Sequence, residues 1–252
     1  MATLPNPEIF REYDIRGRAE EDLLPAVTIS LGLALSNFFR RRKGLAIVLG
    51  RDARPSSRRL RDNLIQGLVE GGMEVVDVGC CPTPALYYAV HHLSADGGVM
   101  ITGSHNPPEY NGLKVSVGPW TVHGEAIREI RDDMKSVTPH WSRGKVVQGE
   151  VLDSYKSAIL AGFQKPLPSN LKVVVDCGNG TAGLCATSLY EQLGCRVVPL
   201  YCEVDGTFPN HHPDPIVPEY MEELGRRVRE EGADLGIGFD GDGDRLGVVD
   251  RK

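Results

Sequence analysis

Three aspartates alternate with glycines in GFDGDGDR (238–245), and a serine, a histidine and a lysine share TGSHNPPEYNGLK (102–114). Asp240, Asp242 and Asp244 lie on so short a path that their carboxylates repel one another unless a cation sits between them. Their hard oxygens suit Mg2+ or Ca2+. A calcium EF-hand starting at Asp240 needs glycine at its sixth place and glutamate at its twelfth, where this chain has Arg245 and Arg251. A DxDxT nucleophile loop needs threonine where Asp244 stands. A solvated acidic turn accounts for the charge, but not for glycines that let three carboxylates converge or for Arg245 beside them.

Ser104 follows the apolar run GGVMI. A GxSxG nucleophile elbow needs glycine at 102 and 106, and the residues there are Thr102 and Asn106. Alone, Ser104 reads as a turn serine bonded to its own backbone, and His105 as its surface neighbour. Beside a cation-binding aspartate loop it reads as a phosphoserine. A phosphate there adds about −1.5 to −2 charge, so three carboxylates and one Mg2+ leave the site strongly negative. Arg245 and Lys114 in these motifs, and Arg16 near the start of the chain, are cations available to offset it.

Elements with a repeated plan must position these loops. LAIVLG (45–50) reads as a strand, RDARPSS as a loop, SRRLRDNLIQGLVEGG as an amphipathic helix and MEVVDVG as the next strand. The order returns in LKVVVD (171–176), CGNG, TAGLCATSLYEQLG and CRVVPLY. Strand, loop, helix, strand means βαβ units with parallel strands. The expectation is α/β: two similar α/β/α domains with mainly parallel mixed sheets. GEAIREIRDDMKS reads as a helix, and the polar stretch VTPHWSRGKVVQGE after it (137–150) reads as the divide. The expected domains are 1–147, with the serine loop, and 148–252, opened by the helix VLDSYKSAILAGF and carrying the aspartate loop. In open α/β sheets functional loops lie beyond the carboxyl ends of strands, where both of these fall.

The chain has 252 residues and a net charge of −6, which argues against broad nucleic-acid binding. The run Arg40-Arg41-Arg42-Lys43 before Gly44 reads as a helix ending. LLPAVTISLGLALSNFF is interrupted by Pro, Thr, Ser and Asn, a poor membrane span and a good buried helix. The first residues show no signal peptide. Six cysteines without CxxC spacing read as buried thiols in a reducing compartment, so a cytoplasmic protein is expected.

Two further motifs pull elsewhere. Gly178-Asn179-Gly180-Thr181-Ala182-Gly183 is a GxGxxG after a strand, with Glu203 about twenty residues on, the fingerprint of a dinucleotide-binding oxidoreductase half. It leaves Ser104 and the aspartates unexplained. The pair His211-His212, flanked by prolines, has no further ligand pattern around it and reads as loop packing.

FREYDIRG (10–17), GRDARPSS (50–57), TGSHNPPEYNGLK, VDCGNGTAG (175–183), FPNHHPDP (208–215) and GFDGDGDR resemble, in this order, motifs of the α-D-phosphohexomutases, in the phosphomannomutase/phosphoglucomutase branch. The resemblance implies an intramolecular phosphotransferase, an isomerase of carbohydrate metabolism. Ser104 would carry a phosphoryl group and exchange it with a mannose or glucose phosphate, through an enzyme-held hexose 1,6-bisphosphate. One Mg2+ would be held by Asp240, Asp242, Asp244 and a phosphoserine oxygen. Arg16, His105, Lys114 and Arg245 would serve proton transfer or charge stabilisation, with Tyr13 and Arg51 in support. Family members are roughly twice as long, so domains 3 and 4, which read the sugar and grip its phosphate, are expected to be absent from these residues, with little or no turnover. A Mg2+-dependent sugar-phosphate phosphatase and a non-catalytic fragment are the other readings. Neither nucleic acid nor membrane is expected as a partner, and the oligomeric state is not legible.

Overall fold

A computed structural model describes residues 5–165, 167–168 and 170–252. The elements run β1 (Ile15–Arg18), α1 (Pro25–Arg41), β2 (Ala46–Arg51), α2 (Ser57–Glu70), β3 (Glu74–Cys80), α3 (Thr83–His92), β4 (Gly97–Ile101), β5 (Tyr110–Val117), β6 (Trp120–Thr121), α4 (Glu125–Asp133) and β7 (Lys145–Gln148). After them come α5 (Leu152–Gly162), β8 (Lys172–Asp176), α6 (Ala186–Gln192), β9 (Arg196–Leu200), α7 (Pro218–Glu230), β10 (Leu235–Phe239) and β11 (Leu246–Val249).

Two sheets result. The first has the order β1-β5-β4-β2-β3-β7, parallel from β4 to β7, with β5 antiparallel to β4, β1 antiparallel to β5, and β6 paired to β5. The second has the order β11-β10-β8-β9, parallel except for β11. Both are mixed and mainly parallel, with helices packed on them. The central strands β2, β4 and β8 are buried along nearly their whole length, which is why they read as continuous apolar runs.

Pro25 at the first turn opens α1, and Arg40 and Arg41 in its last turn favour the carbonyl end. Its buried face carries Val27, Leu31, Leu35, Phe38 and Phe39. It crosses α2 backbone to backbone: a methyl on Gly32 would meet the Gly67 Cα at 2.9 Å. Arg41 pairs with Asp133 and Arg42 with Glu129, so the basic run joins α1 to the α4 segment. Among the described residues no helix is long and apolar enough to cross a membrane.

Two local expectations are corrected. The polar stretch 137–150 contains the strand β7, parallel to β3 and exposed at all four residues. Val151, just beyond it, is buried with Val48 and Val78 of the first unit. TAGLCATSLYEQLG is not one helix: a 3-10 turn (Thr181–Leu184) ends at Cys185, and α6 then has seven residues. All six cysteines are free, four buried and two, Cys80 and Cys202, half-buried.

Candidate active site

Four loops leave the carboxyl ends of parallel strands and converge: 52–56 after β2, 102–109 after β4, 177–180 after β8 and 240–245 after β10. The first two belong to one sheet and the last two to the other. Backbone bonds stitch the aspartate loop to its surroundings: the Thr83 N–H donates to the Asp242 carbonyl (2.9 Å) and the Thr181 N–H to that of Gly241 (3.1 Å). Gly241 is required, because a side chain there would meet the Ser104 carbonyl at 2.6 Å.

Ser104 is buried and has φ +52°, a left-handed conformation unusual for a serine. Its N–H donates to Thr102 Oγ1 at 2.8 Å. Its hydroxyl donates to Asp240 Oδ2 (3.1 Å), stands 3.3 Å from His105 Nδ1, and accepts from Arg245 Nη2 (3.3 Å).

Asp240 and Asp242 are fully buried, so the loop is not a solvated acidic turn. Asp240 Oδ1 accepts the N–H groups of Asp244 and Arg245, and its Oδ2 accepts Arg245 Nε (3.0 Å) and Nη2 (2.8 Å). Asp242 Oδ2 accepts Thr83 Oγ1 and Lys114 Nζ, each at 2.6 Å, and the same ammonium donates to Asp244 Oδ2 at 2.6 Å. Three carboxylates thus face two cations, leaving one negative charge without a partner. Burial, then the neighbouring Asp242 and Asp244, push Asp240 up to about 7 against the pull of Arg245. Asp242 is held low: Lys114 and Thr83 outweigh its burial. Lys114 is raised: burial lowers it, but Asp242 and Asp244 outweigh that, so it stays an ammonium. His105 is lowered, first by burial and then by Arg245, so its ring is neutral near pH 7.

The three aspartates each offer an oxygen within 4.8 Å of the others. The Asp242 Oδ1 atom is buried with no hydrogen-bond partner, an arrangement that costs free energy unless a cation takes it up. A hard divalent ion fits this oxygen set, with Asp244 partly open to solvent.

Ser104, His105, Lys114, Arg245 and the three aspartates are therefore brought together. Arg16 is held one step away: Nη1 donates to Asn106 Oδ1 (2.6 Å) and Nη2 to Asp14, with Nε unpartnered. Tyr13 is exposed beside His123, and Arg51 donates to the Asp52 carbonyl (3.1 Å), so neither reaches the serine. Sequence reasoning passed over Thr83 and Arg54. Thr83 reaches Asp242 across 159 positions, and Arg54 donates to carbonyls 50 to 56 positions on, so no local pattern marks either.

The GxGxxG glycines have packing tasks. A methyl on Gly180 would meet the Gly241 carbonyl oxygen at 2.7 Å, and one on Gly183 would strike the Cys202 carbonyl. Glu203 contributes its backbone carbonyl, accepting from Asn179 Nδ2 at 2.8 Å. His211 is occupied by Asp176 (Nε2 to Oδ2, 2.9 Å) and the His212 carbonyl.

Comparison with known proteins bears on the family and the fold. Residues 7–140 match the sequence profile of phosphoglucomutase/phosphomannomutase alpha/beta/alpha domain I, and residues 153–252 that of domain II. A phosphomannomutase/phosphoglucomutase of Pseudomonas putida is 48% identical over 248 residues, 98% of this chain and 53% of the relative. A phosphoglucomutase of Neisseria gonorrhoeae is 41% identical over 248 residues, 96% of this chain and 53% of the relative. A solved phosphoglucomutase/phosphomannomutase family protein of Burkholderia thailandensis superposes with a TM-score of 0.93 at 39% identity, over 98% of this chain and 56% of that one. The chain spans about half the length of the curated relatives it matches. With both profiles matched in order across most of its residues, the chain belongs to the phosphoglucomutase/phosphomannomutase family.

Proposed function

We propose that these residues carry the phosphoryl-transfer site of a phosphomannomutase/phosphoglucomutase, in which Ser104 holds the phosphoryl group that moves between the C1 and C6 oxygens of a mannose or glucose phosphate. The observation that carries the reading is the Ser104 hydroxyl, bonded to Asp240 and Arg245 at the edge of three converging carboxylates. The units are taken as 1–147 and 148–252, with Gln148 and Val151 still attached to the first, which supplies the serine and Lys114, while the second supplies the aspartates and Arg245.

Asp240, Asp242 and Asp244, with a phosphoserine oxygen, would hold Mg2+, which when bound supplies positive charge to the transferring group. In loading, Ser104 Oγ attacks the phosphorus of a hexose 1,6-bisphosphate, the bond from phosphorus to the sugar oxygen breaks, and that oxygen takes up a proton as the sugar leaves as a hexose monophosphate. The neutral His105, 3.3 Å from Oγ, is placed to take the hydroxyl proton and, in reverse, to return one. Arg245, donating to Oγ itself, is placed to meet phosphoryl oxygens as negative charge spreads over them. Lys114, kept charged by two aspartates, serves charge stabilisation rather than proton removal. Arg16 on Asn106 braces the loop from outside. A phosphatase would use the same residues with water as final acceptor, and release of inorganic phosphate from a hexose phosphate distinguishes it.

The test is direct. The chain is incubated with Mg2+ and glucose 1,6-bisphosphate, digested and mapped by mass, beside Ser104→Ala. A phosphoryl group on the Ser104 peptide, lost in the variant, is expected. These 252 residues alone are expected to show little or no coupled mutase turnover. Phosphorylation elsewhere, or none at all with Mg2+ bound, overturns the assignment.

A further inference from the structure

Among the described residues Arg54 is the largest fully buried side chain, at 1% exposure. A buried guanidinium is tolerated only where its donors are met. All five of its N–H groups have an oxygen. Nε donates to Asp52 Oδ2 (3.0 Å), Nη1 to the Pro107 and Tyr110 carbonyls (2.5 and 3.1 Å), and Nη2 to the Ser104 and Asn106 carbonyls (2.8 and 2.6 Å). Three of the five acceptors are backbone carbonyls of the loop that bears Ser104, and a fourth is that of Tyr110, the first residue of β5.

The guanidinium is closely packed. A methyl on Gly103 would meet Cζ and Nε at 2.6 Å. The Phe208 ring, on the segment after β9, lies with its centroid 5.1 Å from Cζ. Asp52 is locked in turn, accepting from the Arg54 and Gly103 N–H groups (3.1 and 3.2 Å) and from Ser57 Oγ.

We infer that Arg54 is a positioning residue that holds Ser104 in its left-handed backbone conformation, and so aims Oγ at Asp240 and Arg245. The loop has little regular structure of its own to impose that conformation. The Ser104 N–H is fixed by Thr102 Oγ1 and the Ser104 carbonyl by Arg54 Nη2, so both peptide planes flanking the serine are set. A strained φ persists where the surroundings over-determine it, and here the guanidinium supplies that constraint across the whole loop. Lysine cannot replace it: an ammonium has three donors at one point, whereas the loop presents carbonyls to a planar fork. This inference rests on Ser104 being the phosphoryl acceptor.

The experiment compares wild type, Arg54→Lys, and Arg54→Ala with and without methylguanidinium. It follows the rate of Ser104 phosphorylation from glucose 1,6-bisphosphate by intact mass, with melting curves to confirm folding. Folded Arg54→Lys is expected to load at least about a hundredfold more slowly, the scale of a reacting atom misplaced by about 1 Å. Methylguanidinium is expected to recover part of the rate in Arg54→Ala, which general loss of stability would not allow. Amide resonances of Gly103–Tyr110 separate this inference from the reading beneath it. If wild type takes no phosphoryl group, the Ser104 reading fails. Displaced loop resonances in Arg54→Lys, restored by methylguanidinium in Arg54→Ala, then still support the clamp. A folded Arg54→Lys with native loop resonances overturns it, as does one that loads at the wild-type rate. Where neither Arg54 variant folds, Gly103→Ala carries the test, because its methyl would sit 2.6 Å from Cζ and Nε and displace the guanidinium: slow loading supports the clamp and a wild-type rate overturns it.

Discussion

Replacing Lys114 with methionine removes the ammonium that bridges Asp242 and Asp244 while keeping the aliphatic stem. At 2.6 Å and an effective dielectric constant near 20, each ion pair has a gross Coulomb energy of about 6 kcal/mol. Much of that is offset by the desolvation already incurred in burying the charges. Removing one partner of a buried pair costs about 3–5 kcal/mol, and the 14% exposure of the Lys114 side chain argues for the lower end, about 3 kcal/mol. With a urea slope of about 2 kcal/mol per molar, the first unfolding midpoint in EDTA is expected to fall by about 1.5 M. Mg2+ is expected to restore more stability to Lys114→Met than to wild type, because the variant leaves a larger uncompensated charge. The assay is urea unfolding by far-UV circular dichroism, in EDTA and in MgCl2. An unchanged midpoint in EDTA, or equal stabilisation of both proteins by Mg2+, refutes the electrostatic account.

Asp242→Asn converts the unpartnered buried oxygen into part of a neutral amide, and calorimetric titration is expected to show Mg2+ affinity weakened by at least about tenfold. Gly180→Ala places a methyl 2.7 Å from the Gly241 carbonyl, backbone against backbone, and is expected to cost about 1–3 kcal/mol in thermal unfolding while weakening Mg2+ binding. For His211, burial pulls the pKa down, but the hydrogen bond and charge of Asp176 raise it on balance. A raised histidine contributes stability that is present below its usual value of about 6.5 and lost as pH rises through its folded value. The melting advantage of wild type over His211→Gln is therefore expected to be larger near pH 6 than near pH 9.

Particular residues show what could be read in advance and what could not. LAIVLG and LKVVVD announced β2 and β8 because a parallel strand buried on both faces needs an unbroken apolar run. β7 gave no such signal: its four exposed residues are held by backbone pairing to β3, which leaves no hydrophobic period. The helix expected over 181–194 failed at Cys185, whose φ of −145° leaves the helical region after a 3-10 turn, a break that composition does not reveal. In the candidate site, the aspartates and Ser104 were legible because their chemistry is crowded into short segments. That Lys114 bridges two of those aspartates, and that Thr83 and Arg54 belong with them, follows from contacts between segments distant in sequence, for which a single sequence carries no periodic trace.

The converging loops come from two sheets, and contacts cross between them in both directions: Lys114 and Thr83 reach the aspartates, while Arg245 and Phe208 reach back to Ser104 and Arg54. Neither sheet holds a complete set. During refolding, then, secondary structure and the separate hydrophobic cores can form early, but the constellation exists only after the two sheets dock. Docking closes contacts between positions as far as 159 residues apart, the kind of step expected late in folding. The regain of a competent site is thus a clock for that final event, and a change far from the loops that slows docking would delay function while leaving the finished site intact.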